Sequence, residues 1–265
     1  MKGSVPAVII ILCLVLFAGC TTTPQPPIGK DTPAVPAVAG AHYTVGIDAD
    51  FPPFTMTDGR GNFSGFDIDA ARWVAKKEGF TVTFVAVPWD SIVESLDSGS
   101  VDIIWSGLTI TDEREGKVNF SVPYYAVNQS IAARTGSGAT MADLENGRLR
   151  IGAQAGSTGA DWVKRTLVQT GKIPASDVSV YPDIIDLTRA LENREIDVSI
   201  IQAPSQKRAT EGKNITIIGS IAGGESYAVA VRKTDPALLA AINDGLGQLA
   251  GDPYWEELKD KHGLD

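Results

Sequence analysis

The 265-residue chain is poor in the side chains that do most covalent and metal chemistry, with two Cys and two His. A Ser-His-Asp triad or a zinc site has little to build from, because His42 falls in an N-terminal tether and His262 lies three residues from the end. Bases are scarce as well, 23 against 32 acids, for a net charge of -9. Neutralising phosphates takes a basic face, so nucleic acid is excluded as a partner. The main long apolar run, Val5 to Ala18, has 14 residues. As a helix it covers about 21 Å, short of a hydrocarbon core of about 30 Å. That length suits a secretory leader. The chain as a whole, 43% apolar and 21% charged, is globular in composition and long enough for one large domain or two ordinary ones.

Lys2 gives the leader its positive start, and Phe17-Ala18-Gly19-Cys20 sets small residues before a Cys. This resembles the lipobox of lipoproteins, although Leu is usual where Phe17 stands. The resemblance implies a signal peptide over residues 1–19 and lipidation of Cys20 after cleavage. An uncleaved anchor with an incidental Cys20 is the alternative, and both place the rest of the chain outside the cytoplasmic membrane. Residues 20–42, with five Pro among Thr, Ala and Val, read as a semi-extended tether. Loss of the leader leaves a globular part without disulfides.

From Tyr43 onward short β-rich runs alternate with helical patterns, which is α/β grammar. Strands are expected at Tyr43–Ile47, Thr81–Val87, Val101–Trp105, Leu149–Ala153, Val178–Tyr181, Asp197–Ile201, Ile215–Gly219 and Tyr227–Arg232. Helices are expected at Phe66–Glu78, from an Asp90 cap through Leu96, from Thr111 or Asp112, and at Thr158–Gln169 and Asp183–Glu192. Two more follow, one carrying Leu238, Ile242, Leu246 and Leu249, the other Tyr254–Lys261. Tandem α/β units suggest two lobes. In open α/β sheets ligands bind beyond the carboxyl ends of strands, so function is sought just after Ile47, Trp105, Ala153 and Ile201.

Several motifs occupy those places. Val45-Gly46-Ile47-Asp48-Ala49-Asp50-Phe51-Pro52-Pro53-Phe54 is followed by Gly65-Phe66-Asp67-Ile68-Asp69 and Pro88-Trp89-Asp90. Next come Val101 to Thr111 with Arg114, then Phe120-Ser121-Val122-Pro123-Tyr124-Tyr125, Gln154-Ala155-Gly156-Ser157-Thr158-Gly159 and Tyr227 to Lys233. In this order, over residues 43–262, the chain resembles the family 3 extracellular solute-binding proteins, the polar amino acid receptors of ABC importers. The resemblance implies a two-lobed periplasmic-binding-protein (Venus flytrap, type II) fold with ligand in the interlobe cleft. Lobe 1 is expected over 43–128 plus 227–265 and lobe 2 over 129–226, with crossings near Val127–Ile131 and Gly223–Tyr227.

Arg114 opposes the dipole of the helix it opens, and a ligand carboxylate held bidentately would offset that cost. The family uses this Arg for the α-carboxylate; a salt bridge to Glu113 or Glu115 is the structural alternative. Ser106, Gly107 and Thr109 can hydrogen-bond a ligand or simply shape a turn. Ser157 and Thr158, with Gly156, offer N–H groups to a carboxylate or form a plain helix cap. Phe51, Phe54 and Trp89 fit an apolar wall or the core, as does Trp105, the weakest of the four. Asp48 suits the distal end of a ligand or a turn.

Gln202 is the departure, standing where the family usually has an Asp that pairs with the α-ammonium. An amide accepts a hydrogen bond without neutralising a charge. Either Glu225 or Asp48 substitutes, or α-amino acids bind more weakly, or the ligand is a carboxylate without a free ammonium. The expected activity is binding of a small polar amino acid or related carboxylate and delivery to an ABC permease, by a monomer without metal or cofactor. A dehydratase of the cyclohexadienyl or arogenate kind is the enzymatic alternative on this fold.

Overall fold

A computed structural model describes residues 38–264. The expected leader, most of the tether and Cys20 lie outside the described residues. The folded part begins before the expected Tyr43: Val38 is buried in the core, Gly40 N–H donates to Gly79 O at 2.7 Å, and His42 opens the first strand.

The first half runs β1 (His42–Ile47), β2 (Asp50–Phe51), β3 (Thr55–Thr57), β4 (Phe63–Ser64), α1 (Phe66–Glu78) and β5 (Thr81–Ala86). It continues with α2 (Glu94–Asp97), β6 (Ile103–Ile104), α3 (Asp112–Glu115) and β7 (Asn119–Phe120). The chain then crosses on β8 (Tyr125–Arg134) into α4 (Met141–Glu145), β9 (Ile151–Gln154), α5 (Thr158–Val163) and β10 (Val178–Tyr181). After α6 (Ile184–Glu192), β11 (Val198–Gln202) and α7 (Ala203–Thr210), it returns on β12 (Ile215–Tyr227). The C-terminal elements are β13 (Ala230–Val231), α8 (Pro236–Gly251) and α9 (Tyr254–His262).

These strands make two five-stranded sheets, ordered β5-β1-β6-β13-β7 and β10-β9-β11-β8-β12. β1 runs parallel to β5 and β6, and β9 runs parallel to β10 and β11. The central strand Val198–Gln202, parallel to β9 and antiparallel to β8, is buried throughout, with Val198, Ile200 and Ile201 in the core. The first core joins Val45, Ile47 and Ile103 to Ile68 and Val74 of α1 and to Ile242 and Leu246 of α8. The second joins Ile131, Ile151, Val198 and Ile200 to Val163 and Leu167.

Helix α1 begins and ends as its pattern predicts, closing on Gly79 in the left-handed region (φ 76°). Asp90 does not cap a helix; it lies in a 3₁₀ turn, Trp89–Ser91, ahead of the short α2. The helix expected through Gln169 is regular only to Val163 and continues as a π turn. Two strands expected in the return segment are replaced by the long β12, which pairs with β8 across two register shifts, and the short β13.

Candidate functional site

The carboxyl ends of β1, β6, β9 and β11 bring Asp48, Ser106, Gln154 and Gln202 to one region between the two sheets. Arg114 is seated by its own helix: the Thr111 hydroxyl caps α3 by accepting Arg114 N–H at 3.3 Å. The guanidinium donates from Nη1 to Thr109 O at 2.8 Å and from Nη2 across to Gly156 O at 3.1 Å. It lies 5.5 Å from the centroid of the Trp89 ring. Glu113 is engaged instead by Lys117 at 3.6 Å. Burial lowers the Arg114 pKa, while the fields of Asp161, Glu225 and Glu113 pull it back up. The hydrogen bonds of this half-buried cation go to carbonyl oxygens, and guanidinium pairs more strongly with a carboxylate than with a carbonyl.

Phe51 stacks on Trp89 at 6.2 Å, so both rings flank the Arg114 side of the region. The buried Trp89 Nε1 has no hydrogen-bond partner, which leaves a donor available there. Phe54 belongs to the core. It is fully buried, with ring centroids of Tyr227, Tyr125 and Phe66 at 5.1, 5.4 and 6.1 Å. The turn in which Phe54 N–H donates to Phe51 O at 3.0 Å sends the second ring inward. Trp105 is likewise buried, against Tyr124 at 6.2 Å.

The Ser106 hydroxyl and the Gly107 N–H are both bonded within the protein. Ser106 Oγ accepts Asp48 N–H at 2.9 Å and pairs with Thr55 Oγ1 at 3.0 Å, while Thr55 Oγ1 also bonds Asp48 O. The Gly107 N–H is taken by Asp67 Oδ2 at 2.6 Å, which also accepts from Tyr124 Oη at 2.9 Å. These bonds hold the loops that carry Asp48 and Thr109. Burial lifts the Asp67 carboxyl from 3.8 to about 7 against the pull of those two donors.

Asp48 does two jobs. Its Oδ1 closes a turn by accepting Asp50 N–H at 3.0 Å, and its Oδ2 accepts Gln154 Nε2 from the other sheet at 3.0 Å. Burial raises its pKa, partly offset by those same bonds. Ser157 is the cap of α5, accepting Ala160 N–H at 3.1 Å. Thr158 Oγ1 donates to Glu225 Oε2 at 2.9 Å and accepts from Gln129 Nε2 at 2.9 Å and Gln202 Nε2 at 3.4 Å. Thr109 Oγ1 donates to the same Glu225 oxygen at 3.4 Å.

Gln129, Gln154 and Asp67 belong to this constellation without having been singled out in the sequence. Gln154 directly follows Ala153 at a strand end, which was signal enough. Asp67 sat in a quoted motif, whereas Gln129 lies in a crossing strand with no motif of its own. A cavity of about 750 Å³ lies against the β8 and β12 crossing, lined by Asn128, Ser130, Pro204, Lys207 and Ile217, and reaches Glu225. A smaller one of about 220 Å³ opens beside Arg114, Trp89, Gly156 and Asp161.

Known proteins agree with this architecture. A probable histidine-binding protein of Neisseria gonorrhoeae is 29% identical over 239 residues, 88% of this chain and 87% of its own. An ABC uptake transporter substrate-binding protein of Streptococcus pneumoniae, solved with bound histidine, superposes with a TM-score of 0.77 at 31% identity over 83% of this chain and 92% of its own. An ancestral amino acid-binding protein, a precursor of cyclohexadienyl dehydratase, gives 0.75 at 29% identity over 83% and 95%. The fold is the two-lobed α/β type II binding-protein fold. Residues 43–265 match the bacterial extracellular solute-binding proteins, family 3, and the chain belongs to that family.

Proposed function

We propose that the chain is an extracytoplasmic receptor that holds a small polar amino acid or related carboxylate between its lobes and delivers it to an ABC import permease. Arg114 carries this reading: a half-buried guanidinium, spanning Thr109 O and Gly156 O from opposite sides of the cleft, with no carboxylate bonded to it among the described residues. A ligand carboxylate contacts both sides only when they approach, so binding favours the closed state by population shift. Lobe 1 comprises 43–128 with 227–265, and lobe 2 comprises 129–226. Phe51 and Trp89 flank the ligand, Thr109 and Thr158 steer its polar ends, and Asp48 with Gln154 faces its side chain. The histidine bound by the pneumococcal neighbour is the kind of side chain this pairing of an acid with aromatic rings suits.

Asp48 and Glu225 are held by neutral donors, Gln154 on the one and Thr158 with Gln129 on the other, an arrangement that suits a binding site. Cys20 supplies the lipid that keeps this monomeric receptor at the outer face of the membrane.

The test is a thermal-shift and calorimetric panel of L-amino acids on protein stripped of copurified ligand. One or a few polar amino acids raise the melting temperature, and Arg114→Ala weakens their binding by about 2–5 kcal/mol, roughly thirtyfold or more. Folded, ligand-free protein that binds none of them, or that releases phenylpyruvate from prephenate, contradicts the proposal.

A further inference from the structure

Two opposite charges meet at Thr109 without pairing with each other. Arg114 Nη1 donates to Thr109 O at 2.8 Å, and Thr109 Oγ1 donates to Glu225 Oε2 at 3.4 Å. Glu225 receives its remaining hydrogen bonds from Thr158 Oγ1 at 2.9 Å and from Gln129 Nε2, 3.2 Å from each carboxylate oxygen. All of these donors are neutral. An anion in a partly buried setting is stabilised fully only by a counter-charge.

The backbone is arranged to present this carboxylate. Between Ile221, opposite Gln129, and Glu225, opposite Val127, four residue steps on β12 answer two on β8. Such bulges re-aim side chains beside functional sites. Gly224 adopts φ +60°, and a Cβ on Gly223 would lie 3.3 Å from Glu225 Cγ, so both glycines give the carboxylate its place.

We propose that Glu225 receives the ligand's α-ammonium. The site therefore selects zwitterionic α-amino acids over carboxylates that lack the ammonium. This rests on the receptor reading above, in which Arg114 takes the carboxylate. A cation and an anion anchored on one threonine match charges separated by a single carbon. Gln202 is then a supporting donor: its Nε2 reaches Thr158 Oγ1 at 3.4 Å, and the Thr158 hydroxyl donates its hydrogen bond to Glu225. The neutral residue at this strand end does not leave the ammonium unpaired, because the counter-charge comes from β12.

The experiment titrates wild type, Glu225→Gln and Glu225→Gln/Gln202→Asp with three matched pairs. These are L-histidine with 3-(imidazol-4-yl)propanoate, L-arginine with 5-guanidinopentanoate, and L-glutamine with 4-carbamoylbutanoate. For the pair that binds, wild type prefers the amino acid by roughly thirtyfold or more. Glu225→Gln brings that preference within about threefold while the des-amino acid binds as before, which also shows the cleft is intact. Adding Gln202→Asp restores part of the preference, because the new carboxylate faces the same threonine. Retention of the full preference by Glu225→Gln overturns this proposal alone. A wild type that binds no member of any pair overturns the receptor reading, and this one with it.

Discussion

Asp67 is a carboxylate walled off from solvent, with Gly107 N–H and Tyr124 Oη both on Oδ2 and no partner for Oδ1. Its pKa of about 7 against an ordinary 3.8 means that between those values the folded chain holds a proton the unfolded chain has released. Stability from this group is therefore lost as pH rises through that window, and the whole cost is present above about 7. Asp67→Asn removes the titration. Its stability is predicted to gain on wild type from about pH 4 to about pH 7 and then level off, with a limit on the order of 4 kcal/mol, read as a rising melting-temperature difference. A constant offset across that range contradicts the assignment. The sequence marked Asp67 as part of a motif, but its burial depends on Tyr124, 57 positions away. Arg114 stands out in sequence because a base in the first turn of an acidic helix is locally unfavourable. Phe54 does not declare itself, because a ring beside Phe51 looks the same in sequence whether it lines a cleft or fills the core, where the structure buries it.

The turn after β6 carries Ser106, Gly107 and Thr109, and it tolerates no side chain at its centre. Gly107 adopts φ +56°, and a Cβ there would come 2.6 Å from Phe51 Cε1 and 3.2 Å from Tyr227 Cε2. Gly107→Ala is predicted to cost about 2–4 kcal/mol, part backbone and part overpacking, read as a lower denaturant midpoint at unchanged m. Displacing Phe51 from Trp89 weakens ligand binding in the same variant. A midpoint equal to wild type contradicts this packing. Elements with local punctuation were readable: α1 from its apolar spacing and Gly79, α6 from the Asp183 cap, β9 and β11 from their apolar runs. The crossing strands were not. β8 is read only as a crossing because its pairing partner is remote, and β12 reads as broken because its bulges interrupt the alternation.

At the scale of the molecule, a chain of net charge -9 carries a site for a carboxylate. Local geometry resolves the conflict, since one guanidinium aimed by α3 and two carbonyls outweighs charges spread over a screened surface. Two hydrogen bonds join the sides, Asp48 with Gln154 and Arg114 with Gly156, and on the proposed reading a ligand adds its own bonds at the same places. The two-lobed plan followed from tandem α/β grammar and strand-end motifs. Sequence leaves Glu225 and Asp48 as equal candidates for a counter-charge to an ammonium, because the β12 bulge that places Glu225 beside Thr109 and Thr158 is announced by no pattern. The most direct measurement is the crystal structure of the protein with its amino acid bound. The account predicts the carboxylate on Arg114 and the ammonium within hydrogen-bond distance of Glu225, with Gln202 behind Thr158. An ammonium seated on Gln202 with Glu225 turned away, or a ligand outside the region between Arg114 and Asp48, contradicts it.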